Sequence, residues 1–224
     1  MSKAERKERE REMRRNEIVD AAEKLFFARG YENVTMDDIA KELEMARATL
    51  YLSFKNKEDI YAAIAIRASK FVREMFQGLN QGGMTGLEKV RFVGLSYYEF
   101  YKRHTGYYLA YYHTGMFDQD STPELAELKK MRVGSMVMFV DAVKEGMKDG
   151  SIRDDIDPDE TALIILNTGN SALNLSTVTR LYMETYGLTQ EKLYKHTIDM
   201  MIRSIENIKN TKNGQDSGRS KGRK

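Results

Sequence analysis

The run NVTMDDIAKELEMARATLYLSFKNKEDI, residues 33–60, decides how the rest of the chain is read. Two short helices fit it, separated by a turn too tight for a strand. The first opens at Thr35, a good N-cap, with Asp37 and Asp38 in the first turn at the helix's partial positive end. Asp38 stands three residues after the cap, where a capping box places its acid. Met36, Ile39, Ala40 and Leu43 then repeat at helical spacing and stop abruptly. After Glu44-Met45 a second helix turns Leu50 and Phe54 inward. Arg47, Ala48, Thr49, Tyr51 and Ser53 are left for its other faces.

Such a pair is a helix-turn-helix: a scaffold helix, then a second helix free to enter a major groove about 12 Å wide. The charges agree. Residues 46–57 carry three cations (Arg47, Lys55, Lys57) and no acid, whereas the wider segment 17–60 holds ten acids against six bases. Asn56 reads as the N-cap of a third helix, with Glu58 and Asp59 in its first turn. Lys57 at the first helical position opposes the helix dipole, which makes sense where a phosphate occupies that helix end. A solvated surface lysine is the bland alternative.

Within residues 18–60, about a fifth of the chain, a specific spacing is carried by Ala21-Ala22, Leu25-Phe26, Gly30-Tyr31, Val34-Thr35 and Ile39-Ala40. It continues through Thr49-Leu50-Tyr51, Phe54, Lys57 and Ile60. This resembles the DNA-binding domain of the tetracycline-repressor (TetR) family of transcriptional regulators. The resemblance implies that Thr49 and Tyr51 contact the DNA backbone or base edges and that Lys57 contacts a phosphate. The candidate DNA-binding set is Thr35, Arg47, Ala48, Thr49, Tyr51, Ser53, Lys55 and Lys57, with Arg47 the residue suited to a guanine edge. Two positions depart from the family pattern: Glu44 where it usually has Gly in the turn, and Ala46 where it usually has Ser at the start of the recognition helix. A non-glycine residue held at positive φ costs on the order of 1 kcal/mol, and a missing cap about as much.

The 224 residues suffice for one large domain or two modest ones. No cysteine is present, so disulfides and thiolate metal sites are excluded. No apolar run reaches membrane-spanning length and the N-terminus lacks an apolar signal segment, so the expectation is a soluble, cytoplasmic protein without a membrane partner. Two prolines and little β-branched alternation point to an all-α chain. The net charge of +2 hides an asymmetry: residues 1–16 carry +3 and residues 209–224 carry +5, so the middle is acidic. The expected divisions are a charged N-terminal arm (1–13), a helix-turn-helix domain (14–58), a ligand-binding and dimerisation domain (59–209) and a disordered basic tail (210–224). The arm, adjoining the DNA-binding domain, is read as an electrostatic aid to DNA binding.

Along the chain, a first helix is expected from about Arg14 to Arg29, with Gly30 as its C-cap. A long helix then follows from Lys57 to about Leu79, ending at QGGMTG. Further helices are read over 87–104, 107–117, 123–150, 158–186 and 190–208, the prolines at 123 and 158 standing where prolines begin helices. That makes nine: three in a DNA-binding head and six in a bundle. By resemblance this is the TetR layout.

Seven tyrosines fall within sixteen residues: Tyr97, Tyr98, Tyr101, Tyr107, Tyr108, Tyr111 and Tyr112. That exceeds the needs of a core and suggests a ligand cavity, against the alternative that several sit at an interface or half exposed. Between Ala162 and Val178 the chain is apolar on nearly every side, cut by an amide stripe of Asn167, Asn170 and Asn174. Buried amides need partners, in a ligand or across a dimer interface. The candidate ligand-binding set is therefore Tyr97, Tyr98, Tyr101, Tyr108, Tyr111, Tyr112, Met138, Asn167, Asn170 and Asn174. Gly169, Leu173, Ile198 and Met201 are the candidate dimer interface, in a four-helix bundle of 158–186 and 190–208 from two chains.

An enzyme is not expected. There is no nucleophile elbow, phosphate loop or HExxH, and His104 and His113 project from opposite sides of a continuous helix, so neither a catalytic nor a metal site is assigned and no cofactor is expected. One recognition helix reads only a few base pairs, so a homodimer on a palindromic double-stranded operator follows. The function expected is a repressor released by a small apolar or aromatic effector. The alternative is a DNA-binding regulator controlled by a protein partner or without a small-molecule effector.

Overall fold

The computed structural model describes residues 2–80, 82–117 and 122–208. Ten α-helices occur among them: α1 Lys3–Arg29, α2 Met36–Glu42, α3 Arg47–Ser53, α4 Lys57–Gln77, α5 Gly86–Arg103, α6 Thr105–His113, α7 Pro123–Asp149, α8 Pro158–Leu173, α9 Thr177–Thr185 and α10 Gln190–Ile205. The all-α reading holds. The expected basic tail, residues 210–224, lies outside the described residues.

By its internal contacts the chain divides into two units: Met1–Val72 with His104–Arg132, and Arg73–Arg103 with Val133–Lys224. These units group the residues differently from the division expected at residue 58. α6 and the start of α7 belong with the head, because their aromatic and acidic side chains pack onto α1. Phe27 meets the Tyr107 ring edge-on at 5.2 Å, and the Tyr107 hydroxyl donates to Glu23 Oε1 at 2.8 Å.

In the first unit α1 begins earlier than expected. Ser2 and Glu5 form a complete capping box, and Arg6 pairs with Glu10 one turn on at 2.9 Å. The charged arm is therefore helical, and only from Ile18 onward does α1 bury a stripe: Ile18, Val19, Ala21, Ala22, Leu25 and Phe26. That stripe packs with α2 and α3 around Ile39 and Leu50.

The α2–α3 turn follows from local chemistry. Thr35 Oγ1 accepts the Asp38 N–H at 3.2 Å while Asp38 Oδ2 accepts the Thr35 N–H at 2.8 Å, as the capping-box reading requires. At the other end Glu44 N–H bonds to Lys41 O at 3.1 Å and Met45 N–H to Ala40 O at 2.9 Å, a Schellman ending. This ending places Glu44 at φ 50°, the non-glycine residue at positive φ among the described residues. Ala46 starts α3 without a side-chain cap. Asn56 Oδ1 accepts the Asp59 N–H at 2.9 Å and so caps α4.

The second unit is built on α5, α8 and α10. Gly94 lets α10 come close: a Cβ there would meet Ile198 Cδ1 at 2.9 Å, and the Tyr194 hydroxyl donates to the Gly94 carbonyl at 2.8 Å. Gly86 does the same for α7, where a Cβ would lie 2.0 Å from the Gly146 backbone nitrogen. The single helix expected over 158–186 is two. Gln190 Nε2 donates to the Leu173 carbonyl at 2.8 Å, taking up an end carbonyl of α8, and Ser176 caps α9 through the Thr179 N–H at 3.2 Å.

Both departures at the α2–α3 turn can be tested by urea unfolding. Glu44→Gly should stabilise the protein by about 1 kcal/mol, because it relieves the left-handed residue; a destabilised variant would mean the Glu44 side chain supplies more than the turn costs. Ala46→Ser should add about 1 kcal/mol by supplying the missing cap, and no change in unfolding midpoint would count against α3 beginning where it does.

Candidate nucleic-acid interface and effector site

Of the eight residues expected at the DNA, all lie in the first unit, but they are not equally available. Ala48, Tyr51 and Lys55 are exposed, and Thr49 and Ser53 are half-buried. The Thr35 hydroxyl donates to Asp38 Oδ2 at 2.6 Å, so it is engaged in the cap, and these bonds hold the Asp38 carboxyl below its ordinary value. Arg47 Nε lies 2.5 Å from Asp37 Oδ1. The residue expected to read guanine is thus paired to the first turn of α2.

Lys57 is placed differently from its reading as a cation in need of a phosphate. Its Nζ donates to the Tyr31 carbonyl at 3.0 Å and lies 4.0 Å above the Tyr31 ring. A carbonyl and an aromatic face offset the unfavourable helix position within the chain itself. Tyr31 in turn donates to Glu58 Oε1 at 3.1 Å and packs against Phe26, Tyr61, His113 and Phe117. Burial, reinforced by Glu58, pushes the Tyr31 hydroxyl pKa up, and burial pushes that of Tyr61 up to about 12.

A node absent from the sequence reading closes the far end of α3. The Arg15 guanidinium lies 4.0 Å above the Phe54 ring and donates both to the Ser53 carbonyl and to Glu124 in the first turn of α7. Nearby, Asp59 is buried in the first turn of α4, where Oδ2 accepts the Lys55 N–H at 3.2 Å. Burial raises its pKa, and Glu124 adds to the rise. Arg15 and Glu124 are 109 residues apart, so no local signal could have joined them.

The tyrosine cluster is split between the two units. Tyr107, Tyr108, Tyr111 and Tyr112 belong to the first, where Tyr108 is fully buried with Tyr112 4.6 Å away and Arg132 covers Tyr111 at 4.8 Å. Burial and the Glu23 hydrogen bond push the Tyr107 pKa up to about 12. Tyr97, Tyr98 and Tyr101 belong to the second, where Tyr98 stacks on Tyr194 at 5.2 Å and the Tyr101 hydroxyl donates to Gln190 Oε1 at 3.2 Å.

Two open cavities are described in the second unit. One of about 150 Å³ is lined by Phe76, Leu79, Lys89, Met138, Asp141, Ala142 and Glu145, with Lys89 paired to Glu145. The other, of about 250 Å³, lies along α7 and α8 and is lined by Val133, Met136, Val137, Val140, Asp141, Lys144, Asp159 and Leu163. Among the described residues, Met138 is the one of the ten ligand candidates that borders either of these. The amide stripe is not buried within the chain: Asn167 and Asn174 are exposed and Asn170 is half-buried, with Asn174 Nδ2 donating to Asn170 Oδ1 at 2.9 Å.

Most of the dimer candidates lie inside the chain. Leu173 and Ile198 are each only 3% exposed and Gly169 is buried against Tyr194, so these residues hold α8, α10 and α5 together inside one chain. Met201 is half-buried. The exposed apolar side chains of this region are instead Leu163 and Ile164 on α8, Val178, Leu181 and Tyr182 on α9, and Met200 on α10. A helix that is apolar all round does not disclose from its sequence which side its own core takes. Among the described residues no helix is long and apolar enough to cross a membrane, and no group of three or more acidic or histidine side chains is placed to hold a metal ion.

Comparison with known proteins agrees with this architecture. Residues 18–64 match the family model described as bacterial regulatory proteins, tetR family. The chain is 26% identical over 153 residues to the uncharacterized HTH-type transcriptional regulator YhgD of Bacillus subtilis, covering 68% of this chain and 78% of that one. It is likewise 26% identical over 161 residues to the HTH-type transcriptional repressor KstR2 of Mycolicibacterium smegmatis, covering 69% and 75%. Among solved structures, the regulator FadR from Bacillus subtilis in complex with stearoyl-CoA superposes with a TM-score of 0.62 at 22% identity, over 85% of this chain and 98% of that chain, a likeness of fold. The helix-turn-helix head, residues 18–64, is that of the TetR family of transcriptional regulators, carried on an all-α chain.

Proposed function

We propose that the protein is a cytoplasmic repressor that grips a palindromic operator as a homodimer and is released by a small effector with an apolar body. The observation that carries the reading is the set of exposed apolar side chains on α8, α9 and α10. Leu181 and Met200 are 64% and 60% exposed there, with Ile164, Val178 and Tyr182 beside them in exposure. Monomeric proteins seldom leave so many large apolar side chains bare on neighbouring elements, and a second copy of the same face would cover them. A two-fold dimer then presents two copies of α3 to two half-sites.

Support for an effector comes from α4. The helix starts at Lys57, directly after the α3 turn, and carries in its last turn Phe76, which lines the cavity that also holds Leu79 and Met138. An apolar ligand filling that cavity would press on the helix whose first turn supports α3. The stearoyl-CoA bound by the similarly folded FadR is an apolar chain with a polar head. The repressor sense is that of the KstR2 relative.

Two measurements test the reading. Leu181→Glu combined with Met200→Glu should give a folded monomer in sedimentation velocity with operator affinity lowered by more than a hundredfold; an intact dimer would move the interface elsewhere. Calorimetry with long-chain acyl-CoA, with and without operator duplex, should show ligand binding weakened by DNA to the same factor by which ligand weakens DNA binding, about ten- to a hundredfold for ordinary coupling energies. Equal ligand affinity in both conditions would remove the release mechanism however tightly the compound bound.

A further inference from the structure

The seven residues of α3 bury one side chain, Leu50, and this fixes which residues form its outer crest. At about 100° per residue, Ala48 and Leu52 each stand about 160° from Leu50, whereas Thr49 and Tyr51 flank the helix at about 100° and Arg47 and Ser53 lie nearer the core at about 60°. On the crest the exposures follow the wheel, while Arg47 is exposed as well. Leu52 is 82% exposed, Ala48 is exposed, and Tyr51 is 46% exposed. We propose that Leu52, with Ala48 one turn before it, reads the C5-methyl groups of thymines in the major groove, so that this apolar crest, and not Arg47, sets base preference.

The chemistry of the groove leaves this crest one good partner. Apart from small C–H edges, the other groups on the base edges there are hydrogen-bond donors or acceptors, and the thymine methyl is the one apolar group that protrudes. A leucine pressed onto a G·C pair would strip water from N7, O6 or N4 without replacing its hydrogen bonds, which is unfavourable. Against a thymine it removes apolar surface on both sides. The side chain therefore favours T·A and opposes G·C in one contact. Arg47 is the rival reader: it stands about 60° from Leu50 on the wheel, its side chain is 64% exposed, and its Nε is paired with Asp37 Oδ1 at 2.5 Å. A single exposed leucine is common on protein surfaces. This one differs because it forms an i, i+4 apolar pair opposite the buried residue of the helix that must meet the DNA. The inference rests on α3 entering the major groove.

The test uses the full chain. Sequences bound from a random duplex pool define the operator, and each thymine of a half-site is then replaced by uracil, which pairs identically but lacks the methyl. For the wild-type protein, one such replacement made in both half-sites should weaken binding about fifteenfold, about fourfold per methyl contact. Leu52→Ala should fold as the wild type does, since the side chain is exposed, bind the thymine operator more weakly, and be insensitive to the uracil replacement. Leu52→Met, which keeps an apolar tip, should retain most of the sensitivity. If uracil at every half-site thymine leaves wild-type affinity unchanged, or if Leu52→Ala keeps the full uracil penalty, the proposal is overturned while DNA binding stands. A chain that selects no sequence from the pool overturns the DNA-binding reading, and this proposal with it.

Discussion

The recognition helix is two turns long, and a helix of seven residues has no stability of its own in water. Everything around α3 answers that constraint. Leu50 and Phe54, four residues apart, are buried at 0% and 3% and anchor its inner side. The Schellman ending of α2 fixes the direction in which α3 sets out, even though this puts Glu44 in a backbone region glycine would occupy more cheaply. At the other end Arg15 lies over Phe54 and takes the Ser53 carbonyl, placing a cation at the negative end of the helix. One side chain of α1 thus completes packing, hydrogen bonding and electrostatics for a helix that lacks a cap at its start.

The same supports give α3 its sensitivity. Arg15 also holds Glu124, in the first turn of α7, and Asp59 in the first turn of α4 is buried near Glu124 with its pKa raised. A buried carboxylate beside another acid is held at some cost, offset by the Lys55 N–H and by its position at a helix N-terminus. The geometry at the end of α3 therefore depends on the first turns of α4 and α7, each of which runs on for more than twenty residues. A small displacement of either helix along its axis changes what Arg15 and Asp59 can reach, and α3 has little stability with which to resist. A short reading helix is easily held in one pose and as easily lost from it.

What the sequence disclosed and what it hid divide by range. Thr35 with Asp38, Asn56 with Asp59, Asp157 before Pro158, Gly30 after Arg29 and the strained Glu44 are exchanges within four or five residues, and the structure forms each of them. The break between α8 and α9 was legible in principle, since Ser176 and Thr179 form an ordinary cap, but an apolar run through Ala172 and Leu175 masked it. Long-range choices were not legible. The seven tyrosines are consecutive enough to suggest one site, yet a helix end at Arg103 sends them into two units. Leu173 and Ile198 have the composition of an interface, but Gly94 draws α10 so close to α5 that Ile198 is consumed inside the chain. Lys57 looked short of a partner because the Tyr31 carbonyl that takes its proton donor is 26 residues away.

The charge distribution explains why an apolar crest suits this head. Affinity for DNA is carried largely by phosphate contacts, each contributing through released counterions. Residues 17–60 hold more acids than bases, Arg47 pairs with Asp37, and Lys57 is engaged by Tyr31, so this segment adds little net positive charge towards a backbone. Cations bind any sequence, whereas an apolar contact in the groove favours one base and opposes the others. A head with weak general attraction and a methyl-seeking crest discriminates at the expense of grip. In the proposed dimer a second head on the same duplex would supply the grip, the role that reading gives the exposed apolar side chains of α8, α9 and α10.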